Sequence, residues 1–424
     1  MHQDSAGNGP DPAARDTRTR GRPGRQGSSG AWWLARILAA IGVLALLLIA
    51  PAGGSVSRKT TRVVVASLPY WNIGPDTESV LANRNDLNEV SPWMYGLGGN
   101  GQIILDSGID AASLEADLSR LGARGLPVVP TLANVDAQGN WEYGTVASVL
   151  HNPALARRQV AGIVALADAN DYAGIDLDYE NLQAGDRQAF TAFVTGLAAA
   201  LHAKGRILSV ALFAKASDAG YAPRNVAQDY AAIGRAADQV RLMGYDYHWD
   251  TSPPGPVAPI GWIRDVISYA KTQIPASKII LGIPEYGYDW AGGFGTGISW
   301  LQALQLSRHY HAPPHYDGSS QSPWFTYTDA SHRRHTVWFE NAESTQAKLD
   351  AAQGIGGVYL WMYSDPDPGT WSVLHRVLPV PSHSAAGAVS FPSPAGAVEA
   401  PPSLVARSSL LSPGGAAPSG SLMG

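Results

Sequence analysis

The sequence predicts a closed (β/α)8 barrel, and the order of its segments is the main reason. Eight strand-like segments lie between residues 60 and 378, and most gaps between them are amphipathic or alanine-rich. This alternation is typical of a parallel sheet covered by helices. Eight strand-helix units in about 320 residues fit one barrel, with an open doubly wound sheet as the alternative.

The strands follow one another along the chain as short runs rich in β-branched and aromatic residues. In order they are RVVVASLPYW, EVSPWMYGL, LPVVPTLAN, YAGIDLDYE, ILSVALFAK, QVRLMGYDY, IILGIPEYG and GGVYLWMYS. Two of the gaps, DAASLEADLSRLGARG and DRQAFTAFVTGLAAALHAKG, have apolar residues at helical spacing and end in glycine, a common helix stop. Helices are therefore expected between the strands.

The gap between the seventh and eighth strands is the longest, covering about residues 291–349. It contains FTYTDASHRRHTVWFE, which has two β-like runs around a turn. We therefore expect a small α+β insertion that borders the cleft.

The fourth strand places Asp176, Asp178 and Glu180 at every second position, with apolar residues between them. A period of two puts all three carboxylates on one face of a strand, roughly 6 to 7 Å from one to the next. Such a row persists only where protons, hydrogen bonds or a cation relieve the repulsion, which indicates a functional site. A solvated edge strand is the alternative interpretation.

Several other strands also end in acidic or aromatic residues. The carboxyl ends of barrel strands meet at one face, where barrel enzymes place their chemistry. Five side chains are therefore expected to converge there, and they are Glu180, Tyr245, Asp246, Tyr286 and Trp361.

Composition excludes some classes of function. The net charge is -5 and the central region has no basic stripe, which argues against nucleic acid and favours a neutral substrate. The chain has no cysteine, so thiol nucleophiles and cysteine metal sites are excluded and no disulfide is needed outside the cell.

The two ends of the chain differ from its middle. A basic tail (1–30) precedes a hydrophobic segment (31–53), which predicts a cleaved signal peptide or a membrane anchor. The positive flank stays inside, so the barrel domain (58–380) is expected outside the cytoplasmic membrane. The last segment (381–424) is rich in Pro, Ser, Ala and Gly and is expected to be disordered.

These segments resemble glycoside hydrolase family 18, the chitinase-like barrels. The fourth strand is similar to the family pattern D-x-x-D-x-D-x-E, except that Ala173 replaces the first acid, which bears on the support of Asp176 more than on the reaction. The sixth, seventh and eighth strands match in Met243, Tyr245, Asp246, Pro284, Tyr286, Gly287 and Trp361. VSPWMYGLGGNG, PPGPVAPIGW and VWFENAESTQAKLDAA are similar to the branch of spore-cortex and cell-wall N-acetylglucosaminidases.

The resemblance implies catalysis assisted by the 2-acetamido group of the substrate. It makes Glu180 the general acid and later the base, and Asp178 the residue that orients the acetamido N-H. Asp176 would share a proton with Asp178, and Tyr245 would hold the acetamido carbonyl. Closely spaced carboxylates titrate as a coupled set, which favours a protonated acid near neutral pH.

Sugar contacts are expected from further residues at the strand ends. They are Asp246, Met243, Trp361, Tyr286, Tyr70 and Trp249. Trp71 and Trp93 are further cleft candidates. Packing is the alternative role for each of these aromatic residues, because buried tryptophan is common in barrels.

A metal site is a lesser alternative. The proposed insertion contains five histidines, away from the acid row formed by Asp176, Asp178 and Glu180. They are His309, His311, His315, His332 and His335. Three acids along one strand are too far apart for one compact coordination sphere. Neither a metal nor a cofactor is therefore expected.

The sequence thus predicts a monomeric, exported hydrolase of β-1,4-linked N-acetylglucosamine glycans, either peptidoglycan of the cortex type or chitin. A carbohydrate-binding barrel without turnover is the second hypothesis, although such relatives usually lose the acid at Glu180. A metal-dependent barrel enzyme such as a phosphodiesterase is the third.

Overall fold

A computed structural model of the chain describes residues 62–105, 109–218, 222–361 and 366–377. The predicted basic tail, hydrophobic segment and C-terminal tail lie outside these residues, as do both ends of the predicted barrel domain. Among the helices that are described, none has the length and apolar character to cross a membrane.

The described residues contain fourteen strands, which form two sheets. The strands are β1 (Val63–Pro69), β2 (Glu89–Leu97), β3 (Ile103–Leu105), β4 (Thr131–Ala133), β5 (Gly174–Asp178), β6 (Ile207–Phe213), β7 (Gln239–Met243), β8 (Ile279–Pro284), β9 (Tyr286–Ala291), β10 (Phe294–Ser299), β11 (His315–Asp317), β12 (Ser322–Thr328), β13 (Arg334–Phe339) and β14 (Gly357–Trp361).

Eight of these strands close a parallel barrel in the order β1, β14, β8, β7, β6, β5, β4 and β2. The ring closes because β1 pairs in parallel with both β14 and β2, with Val63 opposite Gly357 and Val65 opposite Glu89. The predicted (β/α)8 barrel is confirmed. The short strand β3, which the sequence did not predict, pairs antiparallel with the last residues of β2, with Tyr95 opposite Leu105.

Helices surround the barrel. They are α1 (Ile73–Ala82), α2 (Ala111–Ala123), α3 (Tyr143–His151), α4 (Pro153–Ala169), α5 (Arg187–His202), α6 (Pro223–Val226), α7 (Tyr230–Ala236), α8 (Ile260–Gln273), α9 (Trp300–His309), α10 (Ala342–Ala351) and α11 (Gly369–Val377). In α5, buried Phe190, Val194, Leu197 and Leu201 recur every three or four residues, which gives the helix one apolar face toward the barrel.

The main apolar core lies between the strands and these helices. The barrel interior is instead partly polar, because alternate residues of each strand point inward. Glu89 and Ser91 of β2 and Gln239 and Arg241 of β7 are all buried. Arg241 donates to Ser91 Oγ at 2.6 Å, and Gln239 donates to Glu89 Oε2 at 2.8 Å. This polar interior adjoins Asp176, the first acid of the row Asp176, Asp178 and Glu180.

A five-stranded antiparallel sheet and α9 stand between β8 and β14, where the sequence predicts an insertion. The sheet begins with β9 at Tyr286, earlier than the predicted residue 291, and its last strand ends at Phe339. The predicted end near residue 349 is wrong because Ala342–Ala351 forms α10, a helix next to the barrel helices α8 and α11. The earlier start was missed because β9 reads as a continuation of β8.

Candidate active site

The acid row lies at the carboxyl end of β5, inside the barrel. Asp176 and Asp178 belong to β5, and Glu180 follows it by two residues. Their exposed fractions are 3%, 6% and 6%. Because β5 pairs with β4 on one side and β6 on the other, the alternative of a solvated edge strand is wrong.

The charge on Asp176 is offset by an arginine. Arg241 Nη1 lies 3.0 Å from Asp176 Oδ2, and Arg241 also contacts Glu89. Thr131 donates to the same Asp176 oxygen at 2.9 Å. Arg241 is thus an ion-pair partner of Asp176, and its fixed guanidinium relieves part of the repulsion within the row. The sharing of a proton between Asp176 and Asp178 stays a prediction.

Among the described residues, neither Asp178 nor Glu180 forms an ion pair with a basic side chain. Trp93 Nε1 donates to Asp178 Oδ2 at 3.4 Å, and Glu180 Oε2 has no hydrogen-bond partner among the described residues. Burial, followed by the charge of Asp176, raises the pKa of Asp178 to about 7. Burial, followed by the charge of Asp178, raises the pKa of Glu180 well above its usual value. A carboxyl group that keeps its proton near neutral pH can act as a general acid.

Asn134 fixes the backbone that carries Glu180. Its side chain accepts a hydrogen bond from Glu180 N at 2.7 Å and donates to Glu180 O at 3.0 Å. The next residue, Asn181, has a φ of 56°, in the left-handed region that few residues other than glycine adopt. The chain therefore turns sharply just after the acid, as functional sites often require.

Aromatic side chains line one side of the row. Trp361 stacks on Tyr245 with ring centroids 5.9 Å apart, and it meets Trp93 edge-on at 6.5 Å. Tyr70 stacks on the same Trp93 at 5.9 Å. The hydroxyls of Tyr245 and Tyr359 are 2.8 Å apart and share a hydrogen bond. We call Tyr70, Trp93, Tyr245 and Trp361 the aromatic wall. Such a surface beside buried acids is suited to the apolar face of a sugar ring.

Asp246 has a left-handed backbone conformation, and after burial and Asp178 its charge is a further cause that raises the pKa of Glu180. The φ of Asp246 is 55°, and its Oδ1 accepts hydrogen bonds from Tyr286 at 2.7 Å and Tyr288 at 2.9 Å. Burial raises the pKa of Asp246 to about 6, although these two hydroxyls lower it. Tyr286 and Tyr288 belong to β9, so the insertion contributes directly to this site.

Most of the predicted site residues lie in this region. Met243 is buried at the end of β7, two residues before Tyr245. Trp249 is the exception. Its ring donates to Thr251 at 2.6 Å, its carbonyl accepts from Trp290, and no described contact joins it to the acid row. The prediction that Trp249 contacts the sugar is therefore not supported by its position.

Sequence reasoning missed several residues of the site. They are Thr131, Asn134, Arg224, Arg241, Tyr288 and Tyr359. Arg241 could have been found, because an arginine within the apolar strand QVRLM is a buried charge that needs a partner. The others reach the site from separate elements, and no local pattern marks them.

Of the histidines in the insertion, His335 lies between two aspartates. His335 Nδ1 lies 2.9 Å from Asp289 Oδ1, and its Nε2 lies 3.4 Å from Asp329 Oδ2. In the part of the chain that the structure describes, no group of three or more potential ligands could hold a metal ion.

Most residues of the site lie within a segment that matches a known protein family. The family model for Glycosyl hydrolases family 18 matches residues 134–365, more than half of the chain. The cortical fragment-lytic enzyme of Bacillus subtilis (strain 168) is 37% identical over 234 residues, covering 53% of this chain and 54% of that protein. The chain thus spans little more than half the length of this relative.

Two solved structures share the fold. The chitinase from Chromobacterium violaceum ATCC 12472 has a TM-score of 0.69 and 34% identity, covering 75% of this chain and 99% of that one. The spore cortex-lytic enzyme SleL of Bacillus cereus has a TM-score of 0.68 and 26% identity, covering 76% and 75%. Similar barrels therefore include proteins described as chitinases and as cortex-lytic enzymes.

Proposed function

This chain belongs to glycoside hydrolase family 18, and we propose that it hydrolyses β-1,4-linked N-acetylglucosamine glycans of bacterial peptidoglycan with the help of the substrate's acetamido group. Membership of the family makes it a glycoside hydrolase. The names of its relatives support a cell-wall glycan as the substrate, and the likeness to a chitinase keeps chitin as the second candidate.

The first step needs a proton for the leaving oxygen. Glu180, protonated because burial and Asp178 raise its pKa, gives this proton to the glycosidic oxygen as the bond to the anomeric carbon breaks. The acetamido oxygen of the same sugar attacks that carbon and forms a cyclic oxazolinium intermediate. Both bonding electrons of the broken bond leave with the departing sugar, which keeps the proton.

The second step restores the enzyme. Glu180, now a carboxylate, removes a proton from water, and the water oxygen attacks the anomeric carbon from the side that the first sugar left. The ring opens back to the acetamido group, and the product retains its configuration. In both steps Asp178 accepts a hydrogen bond from the acetamido N-H. This bond orients the acetamido oxygen for attack and stabilises the positive charge of the oxazolinium intermediate.

The aromatic wall and the tyrosines position the reacting sugar. Trp361 offers its face to the ring, and Tyr245 donates its hydroxyl to the acetamido carbonyl. Asp246, held by two tyrosine hydroxyls, contacts the sugar or Glu180. These contacts stabilise the geometry of the first step, in which the acetamido oxygen must approach the anomeric carbon closely.

The observation that supports this function most is the buried pair of Asp178 and Glu180, both with raised pKa values, beside Tyr245 and Trp361. The test is digestion of chitooligosaccharides and purified peptidoglycan by the full chain, with new reducing ends measured. We expect product from peptidoglycan, and inhibition by a thiazoline analogue of the intermediate. An active enzyme that the thiazoline does not inhibit would exclude acetamido assistance, and binding without product would favour a lectin.

The proposed substrate requires the enzyme to act outside the cytoplasmic membrane. The basic segment followed by the apolar run Ile37–Ala50 supports export. Protease added to intact cells should digest an anchored form, and a cleaved form should appear in the medium. Protection of the whole chain inside intact cells would contradict the proposal.

A further inference from the structure

Arg224 lies against the end of β6, the strand that pairs with β5, and takes no part in the proposed reaction steps. It is part of α6, on the connection between β6 and β7, and its guanidinium carbon lies 4.6 Å from the ring centre of Phe213. The side chain is partly buried. Its Nε and Nη1 atoms are shielded from solvent and donate to no acceptor among the described residues. Two donors of a charged group are thus shielded from solvent and unpaired within the part of the chain that the structure describes.

Arg241 shows what a satisfied arginine looks like in the same barrel. Arg241 forms ion pairs with both Glu89 and Asp176 and donates to Ser91. Arg224 forms no salt bridge with any described residue. Burial lowers the pKa of its guanidinium, while the charges of Glu180 and Asp246 act to raise it. A buried donor without a partner is costly, so an unpaired arginine beside candidate catalytic acids indicates a ligand that supplies the missing acceptors.

The position of Arg224 relative to the acids indicates which sugar it faces. Its charge acts on Glu180 and Asp246, whereas the basic group that acts on Asp178 is Arg241. In the proposed mechanism Asp178 holds the sugar that is attacked, and Glu180 protonates the oxygen of the sugar that leaves. With its guanidinium packed on Phe213, the last residue of β6, and β6 paired with β5, Arg224 would face the sugar on the Glu180 side, which is the leaving sugar.

We propose that Arg224 binds a carboxylate on the leaving sugar, the lactyl group of a muramic acid residue. This inference rests on the proposed function and selects between its two substrates. Chitin carries no anion. In peptidoglycan, N-acetylglucosamine alternates with muramic acid, whose lactyl carboxylate is free where the amide bond to the stem peptide has been cleaved. Each edge of a guanidinium presents two parallel N-H donors that match a carboxylate, so a carboxylate on Arg224 would use one of the two unpaired donors together with Nη2.

The test compares two glycans that differ only in this charge. The acidic glycan is peptidoglycan strands stripped of stem peptides, so that the lactyl carboxylates are free. The neutral glycan is the same material with these groups converted to methylamides. We expect kcat/KM of the full chain to be about tenfold higher on the acidic glycan, and the ratio to fall with added salt because the contact is ionic.

Three variants give the matched comparison. Arg224→Gln should bring the acidic-to-neutral ratio close to one, and Arg224→Lys should restore part of it because lysine keeps the charge without the planar pair of donors. Arg264→Gln, which removes an exposed arginine from α8, should keep the parental ratio. A parental ratio near one, or a ratio that Arg224→Gln leaves unchanged while both rates fall together, would overturn the proposal.

Binding separates this inference from the proposed function. If the chain cleaves neither glycan, the proposed hydrolysis of peptidoglycan fails, and calorimetry with the same two glycans decides the role of Arg224. Tighter binding of the acidic glycan that is lost in Arg224→Gln would support the carboxylate site. Equal affinities for the two glycans would overturn it.

Discussion

At the end of one short strand, three carboxyl groups lie in two different surroundings. Asp176 forms an ion pair with Arg241, while burial raises the pKa values of Asp178 and Glu180. The sequence could predict the row, because period two and a buried strand follow from the residues themselves. It could not predict Arg241 as the partner, because β7 reaches Asp176 only when the barrel closes.

The pH dependence of the reaction follows from this arrangement. The general acid must be protonated, so activity falls as pH rises through the pKa of Glu180, and its raised pKa extends activity to higher pH. Asp178→Asn removes a charge that raises this pKa, so the alkaline limb of kcat/KM should move to lower pH in the residual activity of the variant. The measurement is the pH profile of both proteins on one chitooligosaccharide. An unchanged or higher limb in the variant would show that Asp178 does not tune Glu180.

At the scale of elements, the barrel strands and some of the connecting helices were predictable, and the boundaries of the insertion were not. The eight barrel strands follow from β-branched runs, and α5 follows from its apolar spacing. The insertion boundary was missed because β8 and β9 are separated by Glu285 alone, so the sequence reads as one strand. Tyr286 and Tyr288 therefore reach Asp246 from the insertion sheet, which no pattern within IILGIPEYG reveals.

Glu285, at this junction, predicts a pH-dependent stability. It is buried, and its carboxyl accepts hydrogen bonds from Thr345 and Thr370 at 3.1 Å each. Burial raises its pKa from 4.5 to about 8, so the folded state holds this proton more tightly than the unfolded state. The stabilisation is therefore complete below pH 4.5 and is lost as pH rises toward 8.

Glu285→Gln removes this titration. Between pH 5 and 8.5 the Tm of the parent should fall relative to that of the variant, as followed by calorimetry at roughly one-unit steps. Glu115→Gln, at an exposed position of α2, is the control and should follow the parent at every pH. Parallel curves for the parent and Glu285→Gln would show that Glu285 is ionised alike in both states.

At the scale of the whole molecule, the polar interior links distant parts of the chain. Glu89 of β2, Asp176 of β5 and Arg241 of β7 meet inside the closed barrel. Breaking a buried ion network by removing one member leaves uncompensated charges, which typically costs about 3–5 kcal/mol. Arg241→Met should lower the free energy of unfolding by about this amount in urea titrations.

A triple variant tests the cause of that loss. Adding Glu89→Gln and Asp176→Asn to Arg241→Met removes the two uncompensated charges, so part of the lost stability should return. A loss below about 1 kcal/mol in Arg241→Met alone would mean that the network contributes little to the barrel.

The whole fold was predictable because eight alternating segments leave few arrangements, and the closed barrel has no unpaired edge in its ring. The site was predictable where it lies on strand ends, as with Asp178, Glu180 and Tyr245. Long-range partners such as Asn134, Arg224 and Tyr359 were not predictable, since their roles depend on the three-dimensional position of separate elements.

The central claim is that Glu180 donates the proton and that its neighbours bind the sugar without it. The most direct measurement is kcat and oligosaccharide affinity of Glu180→Gln, beside Glu343→Gln on the exposed face of α10. Glutamine keeps the shape but has no acidic proton, so kcat should fall by about 10²–10⁴-fold while affinity stays within a few-fold. Glu343→Gln should match the parent in both. Turnover of Glu180→Gln at the parental rate would contradict the account, because the proton would then come from another group.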